Sequence, residues 1–220
     1  MKLFSSRKKD APDSDLIPES TTHHTTAAAL MGTDDEHPLT EILRFSLIAL
    51  IIVIPIRMFI AQPFIVSGAS MKETFHSGEY LIVDQLSYEL HKPTRGDVIV
   101  FRYPRDPSKF FIKRIIGVPG DTVDIEGNTV RIANATNPNG YILNEPYIKS
   151  MDPGNPVHEV LGDREYFVMG DNRNESSDSR VWGVLQEERI IGRAYLRLFP
   201  PQEFDYLPGA IATDVITNSP

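Results

Sequence analysis

Hydrophobic and polar positions divide the chain into three regimes. From Met1 to His37 it is polar, rich in Ser, Thr and Asp, with no apolar period. Such a stretch cannot bury enough surface to offset the entropy of ordering, so a disordered tail is expected over residues 1–40. A continuous apolar run, FSLIALIIVIPI, then occupies Phe45 to Ile56 between Arg44 and Arg57. At about 1.5 Å per residue that run reaches only ~18 Å, short of a hydrocarbon core of ~30 Å. Extended to Ile42–Ile60, with both arginines snorkelling outward, it reaches ~28 Å. One transmembrane helix over residues 41–61 is therefore expected, with a buried core helix or an interfacial helix as the alternatives. The polar stretch before it is too long for a cleavable leader of the usual form. Arg7, Lys8 and Lys9 favour a cytoplasmic N-terminus, which puts the bulk of the chain outside.

From Tyr80 onward the pattern changes to short β-rich runs separated by turn residues. Strands are expected at Tyr80–Val83, Val98–Tyr103, Phe110–Gly117, Thr122–Ile125, Thr129–Ile132, Glu165–Met169 and Arg193–Leu198. Gly127-Asn128 between DI and TV reads as a tight hairpin turn, and Pro119-Gly120 as another. The expected fold class is mainly β: an antiparallel β-sheet catalytic domain over residues 62–205 behind one N-terminal transmembrane helix. Residues 133–160, rich in Asn and Pro, read as a loop-rich insertion, and residues 206–220 as a C-terminal tail.

Composition narrows the chemistry. A net charge of -8 and no arginine-rich stripe argue against nucleic acid as a partner. With no cysteine, disulfides, thiol catalysis and Cys-based zinc sites are excluded. His23 and His24 stand alone in the polar tail without further ligands, so no metal is expected, and no cofactor either.

The small-residue stretch Ser67-Gly68-Ala69-Ser70 follows the apolar segment and lets backbone approach a ligand closely. Taken alone, Ser70 with Glu73 also fits a capping box, which would make Ser70 a helix cap. Four separated segments bear on the choice. They are Arg57 and Phe59 with Pro63-Phe64, Ser70-Met71 and Thr74; Arg95-Gly96-Asp97-Val98-Ile99-Val100-Phe101; Ile112-Lys113-Arg114-Ile115-Ile116-Gly117 with Val118-Pro119-Gly120-Asp121; and Gly170-Asp171-Asn172-Arg173 with Ser176, Asp178, Ser179, Arg180 and Trp182-Gly183. In this order, over roughly residues 57–200, they resemble the bacterial type I signal peptidases, the Ser/Lys leader peptidases.

The resemblance implies that Ser70 is the nucleophile and Lys113 its general base. A serine hydroxyl needs a neighbour to take its proton, and a neutral lysine can do so. Phe110, Phe111, Ile112, Ile115 and Ile116 surround Lys113 in sequence, the apolar setting that would desolvate it. The resemblance further implies that Ser176 hydrogen-bonds the lysine amine, and that Asp178 and Arg180, in an ion-paired network with Arg114, support the site. The oxyanion would be held by the Ser70 N–H in a stretch containing Gly68. Shallow pockets near Phe64, Val66, Met71 and Ile112 would admit small side chains. Lys72 lies two residues after Ser70, at neither the S-x-x-K spacing nor the base position, and reads as an exposed charge.

Two departures stand out. Glu73 occupies a place where the family commonly has proline, and Gly68 a place where some members carry a serine. The implied function is a plasma-membrane, single-pass endopeptidase cutting signal-peptide-bearing pre-proteins after small-x-small sites on the extracytoplasmic side. Its partners would be those pre-proteins and the lipid bilayer, with room for the export machinery. A self-cleaving Ser/Lys regulator lacks a helix-turn-helix or basic face here. A membrane-anchored non-catalytic binding protein would have no need of Ser70, Lys113 and Ser176.

Overall fold

The computed structural model describes residues 38–55, 61–149 and 154–211. The chain divides into two compact units, residues 1–44 and 45–220. Of the first, only residues 38–44, the opening turns of a helix, are described. That helix, α1, runs Pro38–Pro55, with Glu41 in its first turn, where a carboxylate complements the helix dipole. Its apolar side chains from Leu39 to Ile54 are exposed. Among the described residues no helix is long and apolar enough to cross a membrane. Residues 56–60, the end of the expected span, and residues 1–37, the expected tail, lie outside the described residues.

The rest is antiparallel sheet. β1 (Ala61–Ile65), β2 (Tyr80–Asp84), β3 (Val98–Arg102), β4 (Phe110–Gly117), β9 (Glu165–Met169), β10 (Leu185–Gln186), β11 (Ile190–Phe199) and β12 (Asp205–Tyr206) make one eight-stranded sheet in the order β1-β2-β11-β3-β4-β9-β10, with β12 on β11. β5 (Thr122–Glu126), β6 (Thr129–Ala133), β7 (Tyr141–Ile142) and β8 (Val157–Val160) make a second sheet in the order β7-β6-β5-β8.

Period-two alternation explains how β9 serves two cores. Tyr166 and Val168 pack with Ile99, Phe101, Ile115 and Leu185, whereas Phe167 and Met169 pack with Ile116, Val123, Ile125, Val130 and Ile132. A third cluster, Val66, Met71, Phe75, Leu81, Val98 and Ala194, lies under the Ser70 turn. The β5–β6 hairpin closes at Gly127-Asn128, as its turn residues predict, with Glu126 paired to Thr129 and Gly127 at φ 57°.

Strands other than those expected also appear. β1 was hidden by Pro63 and by its nearness to the apolar segment. Residues 133–160 are more than a loop-rich insertion: they contribute β7 and β8 to the second sheet, and Leu143 is buried in its core. Packing also runs past residue 206. The Leu207 N–H donates to the Tyr195 carbonyl at 2.8 Å, and Ile211 packs on the second sheet's core.

Candidate active site

Ser70 opens a turn, residues 70–74, in which the Thr74 and Phe75 N–H groups donate to the Met71 carbonyl at 2.8 and 2.6 Å. No helix follows, so Ser70 caps none. Its hydroxyl instead accepts a hydrogen bond from Lys113 Nζ at 2.6 Å. Lys113 sits in the middle of β4, 3% exposed, with Nζ also donating to the Ile112 carbonyl at 2.9 Å. Burial pushes its pKa down from 10.5 to about 8, against the opposing pull of the Asp178 and Asp171 carboxylates.

The turn is held in place by the segment after β9. The Asn172 N–H donates to the Ser70 carbonyl at 3.0 Å, Asn172 Nδ2 to the Ala69 carbonyl at 3.0 Å, and the Asp171 N–H to Met71 Sδ at 3.3 Å. Gly170 is required by this approach: a Cβ there would lie 2.4 Å from the Ser70 carbonyl oxygen and 2.3 Å from Ser176 Oγ. Any side chain would drive the two segments apart.

Around this core the polar residues expected to share one network, Arg114, Asp178 and Arg180, fall into two separate ion-paired groups. Arg114 pairs with Asp171, Nε to Oδ1 at 2.8 Å and Nη2 to Oδ2 at 2.6 Å, and not with Asp178. Asp171 also accepts from the Thr74 hydroxyl at 2.5 Å. Arg114 Nη1 donates to the Gly96 and Gly209 carbonyls at 2.9 and 2.5 Å. Separately, Asp178 takes Arg180 Nε at 2.8 Å and Nη2 at 2.9 Å and accepts the Gly170 N–H at 3.1 Å. The two carboxylates belong to different partners because Asp171 follows β9, the neighbour of β4, while Asp178 caps the short helix Ser179–Trp182.

Ser176 also differs from its expected role. Its hydroxyl is buried beside Gly170 and makes no hydrogen bond to Lys113. Both polar backbone atoms of Gly68 are occupied, since Ser77 Oγ accepts its N–H and donates to its carbonyl, each at 3.0 Å. Gly68 takes φ 101°, which a β-carbon would oppose. The Ser70 N–H, by contrast, enters no hydrogen bond among the described residues.

An open cleft of about 470 Å³ runs up to the Ser70–Lys113 pair, lined by Phe64, Val66, Ser67, Gly68, Ile112 and neighbours, with Lys109 and Glu175 also on its wall. Three of the four expected pocket residues, Phe64, Val66 and Ile112, are there. Met71 is not: it is 1% exposed and packed beneath the turn. Lys72 is exposed and does not line the cleft. Among the described residues no group of side chains could hold a metal ion. Asp171 lies in the Gly170–Arg173 motif, with no separate role assigned to it from the sequence, and Glu145 and Tyr147, which reach Arg173 and Arg114 from the insertion, carried no signal in the sequence.

A serine hydroxyl bonded to a buried lysine at the end of an open apolar cleft has the chemistry of a serine endopeptidase. The family model described as signal peptidase, peptidase S26, matches residues 39–199. The chain belongs to that family, the bacterial type I signal peptidases, which are serine endopeptidases. Among its relatives are a probable signal peptidase I-1 from Synechocystis sp., 38% identical over 73% of this chain and 83% of the relative. Signal peptidase IB of Staphylococcus aureus is 31% identical over 72% of this chain and 88% of its own length. The crystal structure of a signal peptidase I from Enterococcus faecalis aligns at a TM-score of 0.40 with 31% identity, covering 47% of this chain and 97% of its own.

Proposed function

We propose that this chain is a membrane-bound endopeptidase that removes N-terminal signal peptides from exported pre-proteins after small-x-small sites, using Ser70 and Lys113 as a dyad. The observation that carries the reading is the 2.6 Å contact between Ser70 Oγ and an amine whose pKa burial lowers to about 8. Near neutral pH a useful fraction of such an amine is unprotonated, and in that form it accepts the hydroxyl proton rather than donating to the oxygen.

Ser70 Oγ attacks the scissile carbonyl carbon while its proton passes to Lys113 Nζ. The oxyanion forms against the unoccupied Ser70 N–H, because the Gly68 N–H is already bonded to Ser77. The ammonium then gives its proton to the leaving amine, which departs as the new N-terminus of the mature chain. A water, deprotonated by the same amine, hydrolyses the ester to Ser70 and frees the leader's carboxylate. Asp171, Arg114, Asp178 and Arg180 keep the two reacting segments in register and do not exchange protons. The cleft wall of Phe64, Val66 and Ile112 favours small side chains at the -1 and -3 positions.

Membrane attachment is supported by the exposed apolar side chains of α1, which water solvates poorly. At about 1.5 Å per residue α1 falls slightly short of ~30 Å. The basic start of the tail orients the β domain outside the cell, beside the bilayer and within reach of the export machinery. Incubating detergent-solubilised protein with a precursor bearing an Ala-x-Ala site, then sequencing the new N-terminus, tests the reading. Cleavage elsewhere, or cleavage that persists in Ser70→Ala, would refute it.

A further inference from the structure

Three contacts around the Ser70–Lys113 pair come from one short stretch outside the cleft. Pro146 follows Glu145 in a turn closed by the Ile148 N–H on the Glu145 carbonyl at 3.1 Å, a place that suits its fixed φ. From this turn the Glu145 carboxylate takes both Arg173 Nη1, at 2.9 Å, and Nη2. The Tyr147 ring faces the Arg114 guanidinium at 4.1 Å, and its hydroxyl donates to Glu145 at 2.7 Å. Lys149 reaches Glu73 at 2.5 Å.

The three recipients belong to three different parts of the site. Arg173 follows the Asp171-Asn172 segment that holds the Ser70 backbone, Arg114 adjoins Lys113 on β4, and Glu73 lies within the Ser70 turn. None of residues 145–149 lines the cleft.

We propose that residues 145–149 form a clamp that sets the position of Ser70 relative to Lys113, with Glu145, Tyr147 and Lys149 as positioning residues. The proposal rests on the Ser–Lys reading above. Arg173 is buried, and Asp171, whose charge also acts on it, is already engaged by Arg114. Pairing Arg173 with Glu145 leaves the Arg114–Asp171 pair intact. Arg173 Nε donates to the Gly170 carbonyl at 3.1 Å, and the Arg173 carbonyl accepts from Arg180 Nη2 at 2.7 Å. A displaced Arg173 carries Gly170 with it, and Gly170 has no slack against the Ser70 carbonyl. Tyr147 covers the face of an arginine whose edges are bonded to Asp171, Gly96 and Gly209. The Glu73–Lys149 pair fixes the Ser70 turn from outside by charge.

The test measures kcat and KM separately on the full-length detergent-solubilised protein, well below its unfolding temperature, with the Ala-x-Ala precursor. Glu145→Gln and Tyr147→Leu are expected to lower kcat on the order of 10²-fold, as a small misplacement of reacting groups does, while KM stays within about twofold. Tyr147→Phe keeps the ring on Arg114 and retains most of the rate. Glu73→Lys and Lys149→Glu each lower kcat, and the two together restore it. The Lys149 side chain is 78% exposed, against 19% for Glu73, so Lys149→Glu alone leaves folding intact and its effect on kcat remains decisive even where a more buried variant misfolds. Unchanged kcat throughout, a raised KM at constant kcat, or a swap without rescue would overturn the clamp. Full-rate clamp variants beside inactive Ser70→Ala and Lys113→Ala remove the clamp alone. Full activity in Lys113→Ala removes the dyad and the clamp together.

Discussion

Replacing Lys113 with methionine should stabilise the protein at neutral pH while abolishing its activity. The unfolded chain binds the lysine proton up to about pH 10.5, the native chain only up to about 8. Between those values the unfolded state holds more protons, so stability rises with pH across that window. Below about pH 8 the native protein carries the full cost of the buried ammonium, and above about 10.5 it carries none. The drop from 10.5 to about 8 corresponds to about 3 kcal/mol. Methionine fills similar space without a charge, so the advantage of Lys113→Met over wild type should narrow by about 3 kcal/mol between pH 7 and 11. The lost hydrogen bonds to Ser70 and the Ile112 carbonyl add an offset of ~1 kcal/mol each that varies little with pH. Urea unfolding followed by the fluorescence of Trp182, the sole tryptophan, measures the gap at each pH. Other titrating groups are common to both proteins and cancel in the difference. In the wild type, kcat/KM should climb to a plateau through the same apparent value near 8. A gap that is constant or widens with pH, or a rate that keeps climbing to the ordinary lysine range, would refute the reasoning.

Ser70→Ala and Lys113→Ala should each remove nearly all cleavage, and the double variant should be little worse than either, whereas Lys72→Ala keeps most activity; single-turnover rates decide it. Gly170→Ala should lower kcat on the order of 10²-fold by forcing the Ser70 backbone away, with the folded state retained in circular dichroism. Asp171→Asn breaks a buried ion pair and weakens the Thr74 contact, so unfolding free energy should fall by about 3 kcal/mol. An unchanged denaturation midpoint would contradict that account.

Much of the β domain was legible because its strands carry their own signals. Phe110–Gly117, apolar apart from Lys113 and Arg114, and Glu165–Met169, apolar after Glu165, serve two cores, and the Gly127-Asn128 turn fixes the hairpin register. β8, reading VHEV, has two polar positions and little burial, so only its pairing with β5 makes it a strand. At the site, the motifs single out Ser70 and Lys113, which the fold brings into hydrogen-bond contact, and the apolar neighbours of Lys113 foretell its lowered pKa. Partner choice was not legible. Whether Arg114 meets Asp171 or Asp178 depends on β4 pairing with β9, a relation of strands far apart in sequence. For the same reason Met71 reads as a pocket residue when taken with Ser70, yet turns under it into the core.

The hydrogen bond from Arg114 to the Gly209 carbonyl bears on the order in which the protein is made. A β-carbon at Gly209 would come within 2.6 Å of Thr74 Cγ2, so this late segment is fitted directly against the turn that carries Ser70. Domains emerge from the ribosome N-terminal part first. A nascent chain can hold every residue of the strands and still lack the carbonyl that completes the surroundings of Arg114. The surroundings of Arg114 are thus among the last features of the domain to be completed during translation.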